Sequence, residues 1–418
     1  MNKKRLIVIG GGAAGFFCAV NAARLNPGLD VVILEKSNKL LSKVKVSGGG
    51  RCNVTHACFS IADMIKQYPR GASFLKRAFH HFFTTDTIAW FQERGVLLKT
   101  EADGRMFPVS DSSASVINCL VGEANKYDVE LMMNKEITAM SFVDGYWSLC
   151  CKDGQQIVAD FVCIACGGYP KSVQFEWLKQ LGHHVAEPVP SLFTFNLPAG
   201  QAGMPGNDIT ALMGVSVENT SVKIAGTKLV AQGPLLITHW GMSGPVVLKL
   251  SAWGARELAM GNWHFKIIVN WIPDFNENNL RERFQQLRFT LAAQKIVNRN
   301  PFALPGRLWE YLLKESGVKD EFRWADLPAK EQNKLIKNLC AQEFEVKGKT
   351  TFKEEFVTAG GIELNEIDYN TMQSKIASGL FFAGEVINAD GVTGGFNFQN
   401  AWTTGWIAAK GIAESSGV

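Results

Sequence analysis

Proline is scarce in this 418-residue chain, at 14 residues, and charge of either sign is nearly balanced, with 43 Lys and Arg against 39 Asp and Glu. A net charge of +4 over that length gives no strong electrostatic hold on polyanions, so nucleic-acid binding is not expected. Long apolar runs are missing too, and no segment is fit to span a bilayer. Lys3, Lys4 and Arg5 before the uncharged stretch from Leu6 to Ala23 imitate a secretion signal, but Gly10, Gly11 and Gly12 break it where a signal core is helical. The nine cysteines are odd in number and irregularly spaced in a chain too long to need disulfide staples. Reduced thiols and a cytoplasmic location are expected. Length predicts two or three domains, and 46% apolar with 20% charged residues is an ordinary globular composition.

Glycine is plentiful, at 40 residues, and gathered in short runs. Leu6-Ile7-Val8-Ile9 reads as a parallel strand buried on both faces, Ala13 to Leu25 as a helix, and Val31-Val32-Ile33-Leu34 as a second strand ended by Glu35. Gly10-x-Gly12-x-x-Gly15 joins the first strand to the helix. In such a unit Gly10 permits the tight turn, Gly12 lets backbone approach a pyrophosphate, and Gly15 lets helix and strand pack closely. The helix N-terminus offers unpaired N–H groups and a positive dipole end. Glu35, twenty residues beyond Gly15, can accept hydrogen bonds from a ribose diol. The pattern predicts dinucleotide binding, with NAD(P) or FAD as the nucleotide.

Further glycine runs bear on that choice. Lys43-Val44-Lys45-Val46-Ser47-Gly48-Gly49-Gly50-Arg51-Cys52-Asn53 combines cations, a hydroxyl and a triple glycine that is costly in chain entropy without a close approach. Arg51 and Lys43 can offset phosphate charge or polarise a flavin carbonyl. Asp160 to Ala165 reads as a strand leading into Cys166, Gly167 and Gly168, and Val129 to Ile137 with Trp147 to Cys150 read as strands of a small sheet beside it. Near the far end, Gly379 to Glu385 reads as a strand and turn, followed by Asn388-Ala389-Asp390-Gly391-Val392-Thr393-Gly394-Gly395-Phe396-Asn397 and a helix from Gln399 to about Ala413. A second glycine turn before a helix suits FAD, which is long enough to need support at both its pyrophosphate and its ribityl chain and ring.

The middle is too long for a connection. Ser191 to Trp271 alternates short β-rich runs with Gly and Asn turns, predicting a sheet or barrel. Leucines at helical spacing make roughly 277–345 helical, and Phe356 to Gly361 mark the return to the first domain. Ser243-Gly244-Pro245 reads as a helix start with Ser243 as N-cap.

The motifs GGGAAG with Glu35, SGGGRCN, GRMFPVS (Gly104 to Ser110), ACGGYP, THWGMSGP (Thr238 to Pro245) and AGEVINADGVTGGFNFQNAW stand in the order of one family. Over nearly its whole length the chain resembles the bacterial FAD-binding oxidoreductases of BaiN/RdsA type, also called the aminoacetone oxidase family. The resemblance implies an α/β fold: a glutathione-reductase-like Rossmann FAD domain built from both chain ends, with an inserted β-barrel-like and helical region. The implied domains are 1–190 with 356–418 for FAD, 191–275 for the β-rich insert and 276–355 for the helical insert. By motif position the implied FAD contacts are Gly10, Gly12, Ala13, Ala14 and Gly15 at the pyrophosphate, Glu35 and Lys36 at the ribose, and Ile137 near the adenine. Lys43, Ser47, Gly48, Gly49, Arg51, Cys52 and Asn53 follow the pyrophosphate and flavin, with Cys166, Gly167 and Gly168 passing close by. Gly384, Glu385, Gly394, Gly395, Phe396 and Asn397 line the ribityl chain and ring. Glu385, where many flavoproteins have Asp, fits this family; Asn388 stands where many members have an acid.

Two residues are candidates for the chemistry. His239 can serve as a proton donor, with capping or packing as the alternative, and Cys52 can be a redox partner of a flavin, with a structural role as the alternative. Cys163-x-x-Cys166 lies on a buried strand where the two side chains point to opposite faces, so no metal site is expected. The leading expectation is hydride transfer through FAD between NAD(P)H and an organic acceptor, an activated C=C bond such as an enone. The alternatives are an oxidase of a small amine or ketone, a tRNA-acting flavoprotein and a non-catalytic redox sensor. A small-molecule substrate is expected and no membrane partner; the sequence leaves the oligomeric state open.

Overall fold

The computed structural model describes residues 3–198, 209–350 and 357–417. The boundary expected at residues 355–356 lies outside them. The chain divides into two compact units, Met1–Ser191 with Phe352–Val418, and Leu192–Thr351.

The first unit is organised by five parallel strands: Lys4–Ile9 (β1), Leu29–Glu35 (β2), Glu130–Met133 (β3), Phe161–Ile164 (β4) and Leu380–Phe382 (β5), in the order β5-β4-β1-β2-β3. Leu6, Ile7 and Val8 are wholly buried, as expected of a central strand covered on both faces. Helix Ala13–Leu25 (α1) follows β1, and helix Phe396–Ser415 (α2) follows β5. They pack so closely that a Cβ on Gly405 of α2 would stand 2.8 Å from the Ala14 carbonyl oxygen of α1. Both chain segments therefore build one sheet and one helical layer.

The stretch Val129 to Ile137 divides where one small sheet was expected. Glu130–Met133 extends the parallel sheet beside β2, whereas Ile137–Val143 starts a separate antiparallel sheet with Tyr146–Cys151 and Gln156–Ala159. Asn134, at φ 57°, turns the chain between them. A three-stranded sheet of Thr55–His56, Leu98–Thr100 and Arg105–Pro108 and a ribbon of Val185–Ser191 with Val357–Ile362 complete the unit.

The second unit holds a seven-stranded sheet ordered Gln342–Lys347, His264–Asn270, Ser216–Ile224, Val230–Thr238, Gly241–Ser243, Thr194–Asn196 and Lys349–Thr350. Its two outermost strands are consecutive in the chain, separated by Gly348 alone, so the sheet curls round in barrel fashion. Helices Glu277–Thr290, Gly306–Glu315 and Ala329–Cys340 share one apolar core with it, in which Phe284, Trp309, Leu335 and Leu339 meet Ile267, Val269 and Trp271. Helix Pro245–Trp253 starts differently from expectation. Gly244 is the N-cap, at φ 94°, and no side chain caps it; Ser243 ends the preceding strand.

Candidate functional site

The chain leaves β1 toward β2 on one side and returns through β4 on the other, so a crevice opens beyond the carboxyl end of β1. Gly10 forms the turn there at φ 116°; its N–H donates to Leu34, and a Cβ would stand 2.4 Å from the Ala165 carbonyl oxygen. A Cβ on Gly15 would lie 1.9 Å from the Gly10 carbonyl oxygen and 3.4 Å from the Val8 side chain. At Gly12 the same test meets nothing within 4 Å. Gly10 and Gly15 thus serve internal packing, whereas Gly12 keeps clear the space outside. Gly12 is also the N-cap of α1, no side chain caps it, and Ala13 and Ala14 bring no carboxylate to the first turn. The opening N–H groups are left to an external acceptor.

Glu35, at the end of β2, turns its carboxylate back on this loop. Oε2 accepts from the Gly11 N–H at 2.9 Å, and Oε1 accepts from the Ser37 N–H and hydroxyl. The Lys135 N–H donates to the Glu35 carbonyl, which brings the start of the Ile137 strand to the same corner. Lys36 lies over the Tyr169 ring, 5.3 Å from its centre. Cys166 is half-buried, and burial pushes its thiol up to about 11.

The segment with the triple glycine begins with helical turns from Ser42 and breaks at Ser47, where Gly48 and Gly49 take left-handed conformations. A Cβ on Gly49 would meet nothing within 4 Å, nor would one on Gly167. Lys43 Nζ reaches Glu385 Oε2 at 2.5 Å, and Glu385 Oε1 accepts from the Thr358 N–H at 2.8 Å. Arg51 pairs with Glu101 and Asp111 and lies 4.0 Å from the Phe107 ring centre, so its guanidinium is fixed by the protein itself. Cys52 is wholly buried, and burial pushes its thiol up to about 12, so almost none of it is thiolate at neutral pH.

The C-terminal turn closes against these pieces. The Gly384 N–H donates to the Thr404 hydroxyl. Asn53, with its amide turned to suit both neighbours, donates to the Thr55 carbonyl and accepts from the Gly395 N–H, each at 3.0 Å. The Asn397 amide clasps Gly391 by both its N–H and its carbonyl. Tyr68 donates to the Phe396 carbonyl, and Gly395 is the left-handed N-cap of α2.

Every residue named for the cofactor belongs to the first unit. His239 belongs to the second unit, on the turn between Val230–Thr238 and Gly241–Ser243, with its ring 3.7 Å from that of Trp240. Sequence reasoning gave no role to Asp390, which is fully buried and paired with Arg70 while accepting from the Ser191 hydroxyl. Its place inside the glycine-rich C-terminal motif was the available signal; its partner, 320 positions away, had none.

Open space at Gly12, Gly49 and Gly167, an uncapped helix start and a carboxylate at the ribose distance fit an extended dinucleotide. A sequence profile described as the HI0933-like protein Rossmann domain matches residues 4–411. The chain is 27% identical to a 3-dehydro-bile acid delta(4,6)-reductase of Clostridium scindens, over 98% of this chain and 99% of that one. It is 29% identical to a ribosomal RNA dihydrouridine synthase of Escherichia coli over the full length of both. Among solved structures, a 3-ketosteroid-delta4-(5alpha)-dehydrogenase of Rhodococcus jostii superposes with a TM-score of 0.50 at 13% identity, covering 98% of each chain. At that identity the likeness is one of fold.

Proposed function

The chain belongs to the HI0933-like Rossmann-domain family and is an FAD-dependent oxidoreductase, and from that premise we propose that it adds hydrogen across a C=C bond conjugated to a carbonyl. NAD(P)H is the proposed donor. One observation carries this reading. Two relatives matched over nearly their whole lengths bear names of different substrates but of one reaction type, since a 3-dehydro bile acid unsaturated at position 4 and the uracil ring both join a C=C bond to a carbonyl.

Bound FAD supplies the hydride chemistry. The α1 start is proposed to hold the pyrophosphate through the backbone N–H groups of Gly12, Ala13, Ala14 and Gly15, with Gly10, whose own N–H is bonded to Leu34, making the turn that admits it. Glu35 and Lys36 hold the ribose, and the corner at Ile137 takes the adenine. Lys43 and Glu385, already paired, stand with Ser47, Gly48, Gly49 and Asn53 along the ribityl chain and ring. Gly394, Gly395, Phe396 and Asn397 complete that wall, with Cys166, Gly167 and Gly168 opposite. Cys52 supports the turn as a buried small side chain. The test is the visible spectrum of the purified protein, mass identification of the acid-released cofactor, and anaerobic mixing with NADH and NADPH. A flavin bleached by either, then recoloured by a conjugated enone, is expected. A folded protein that stays colourless after incubation with FAD overturns the reading.

A second acceptor, uridine in RNA, is favoured by a separate feature. Residues 276–341 carry twelve Lys and Arg against eight Asp and Glu, and exposed Lys295 and Arg323 face each other across a backbone bridge. A salt-dependent RNA shift at low ionic strength decides between the two acceptors.

A further inference from the structure

Reducing a conjugated C=C bond takes two separate deliveries. Hydride added to the β-carbon moves the π pair onto the α-carbon and carbonyl, and a proton must then close the α-carbon. Resting on the function proposed above, we propose that His56 is the catalytic residue that gives this proton, from Nε2.

His56 is half-buried in the short strand Thr55–His56, three residues beyond Asn53. Its ring stacks on Phe396, the first residue of α2, at 4.6 Å between centres and 26° between planes. Its Nδ1 lies 3.0 Å from the Gly394 carbonyl oxygen. A carbonyl only accepts, so Nδ1 carries hydrogen and donates. The second ring nitrogen is thereby the one that gains and loses a proton. Nε2 has no hydrogen-bond partner among the described residues, and it is not sealed from solvent. Gly104 passes so near that a Cβ there would lie 2.5 Å from Nε2, so only glycine leaves that nitrogen clear.

The charged groups around the strand are engaged with one another. Arg105 stands opposite His56 in the strand register, with its guanidinium on Asp103 and Glu101. Arg51 is paired with Glu101 and Asp111, and Cys58 beyond the strand donates to the Ser60 carbonyl. No carboxylate is bonded to the imidazole itself among the described residues. Donation leaves His56 neutral with its Nδ1 bond intact, and water restores the proton. The electron pair comes from reduced flavin, itself reduced by NAD(P)H, so the acceptor gains one hydride and one proton.

The test uses holoenzyme reduced photochemically and mixed with cyclohexenone. His56→Asn keeps a donor for the Gly394 carbonyl but holds no transferable proton; it is expected to slow flavin reoxidation about 100-fold or more at equal flavin content. His56→Gln serves if the first variant loses its flavin. Nitrogen NMR of histidine-labelled wild type, a readout independent of turnover, is expected to show the neutral ring protonated on Nδ1. Wild-type reoxidation rates in both variants, a loss confined to His239→Asn, or a neutral ring protonated on Nε2 overturns the assignment. If the wild-type enzyme is reoxidised by no conjugated carbonyl, the proposed function fails, and His56 as donor with it; that outcome shows before any variant is made.

Discussion

Gly384 and Ala14 meet at the heart of the first unit: a Cβ on Gly384 would stand 2.7 Å from the Ala14 methyl. One residue opens the C-terminal turn and the other lies in the first turn of α1, so the glycine motifs at the two ends of the sequence form one wall. Substitutions along that wall separate what holds the fold from what holds the cofactor.

Gly15→Ala places a methyl against the Gly10 carbonyl oxygen, at a nominal 1.9 Å, and backbone must shift to admit it. A loss of about 1–3 kcal/mol is expected, by analogy with overpacked cores, and a melting curve of the cofactor-free protein measures it.

Gly12→Ala gives the opposite pattern. Its Cβ enters open space at φ −95°, which suits any residue, so the melting temperature of the cofactor-free protein should barely move. FAD affinity should fall at least about tenfold, equivalent to about 1.4 kcal/mol, as read by flavin fluorescence titration.

Glu385→Ala removes the acceptor of the Thr358 N–H and the partner of Lys43. Thr358 is buried, so its N–H is stranded at a cost of about 1–3 kcal/mol. Lys43→Ala should cost less, about 0–1 kcal/mol, because its side chain is 44% exposed. Denaturant midpoints of the two variants check the ranking.

Stability should decline as pH falls below neutrality, and His183 is a named contributor. Burial pushes this imidazole below the ordinary histidine value of 6.5, against the opposing pull of Glu366. A group whose folded value is lowered binds protons more readily when unfolded, so its contribution is full above 6.5 and is lost as pH falls through and below that value. Burial opposes ionisation of Glu366 too, but hydrogen bonds from His184 and His183 outweigh it and hold the carboxyl below its usual value, so acid removes that contribution as well. Melting temperatures between pH 8 and pH 5 should fall in wild type and fall less in His183→Gln.

Removing FAD should lower the melting temperature, since a ligand that binds only the folded state stabilises it by about 2.7 kcal/mol at one hundred times its Kd. Thermal scans with and without added FAD check this.

The sequence was most legible where local rules act alone. Helix α1 runs from Ala13 to Leu25, the bounds set by Gly12 before it and by the polar Asn26 after it. The division of Val129 to Ile137 was not legible, because Glu130–Met133 and Ile137–Val143 both favour strand and only tertiary pairing assigns them to different sheets. Ser243 gave way to Gly244 as N-cap because a Cβ at position 244 would stand 2.9 Å from the Pro234 carbonyl oxygen and the residue sits at positive φ, both of which favour glycine. Periodicity likewise makes roughly 277–345 helical, but it reports neither that the chain turns to strand at Gln342 nor that the helices share a core with strands. Among the site residues, the glycine turns announced themselves, whereas Arg70 carried no mark of its distant carboxylate.

Because β5 and α2 come from the far end of the chain, β4 and the outer face of α1 must wait during synthesis until nearly all of the polypeptide has left the ribosome. A nascent chain stopped before residue 380 has an incomplete sheet edge, and its Phe17 keeps Phe82 and Trp90 but lacks Trp402 of α2. Under the proposed placement of FAD, such an interrupted product also lacks the C-terminal half of the cofactor's wall.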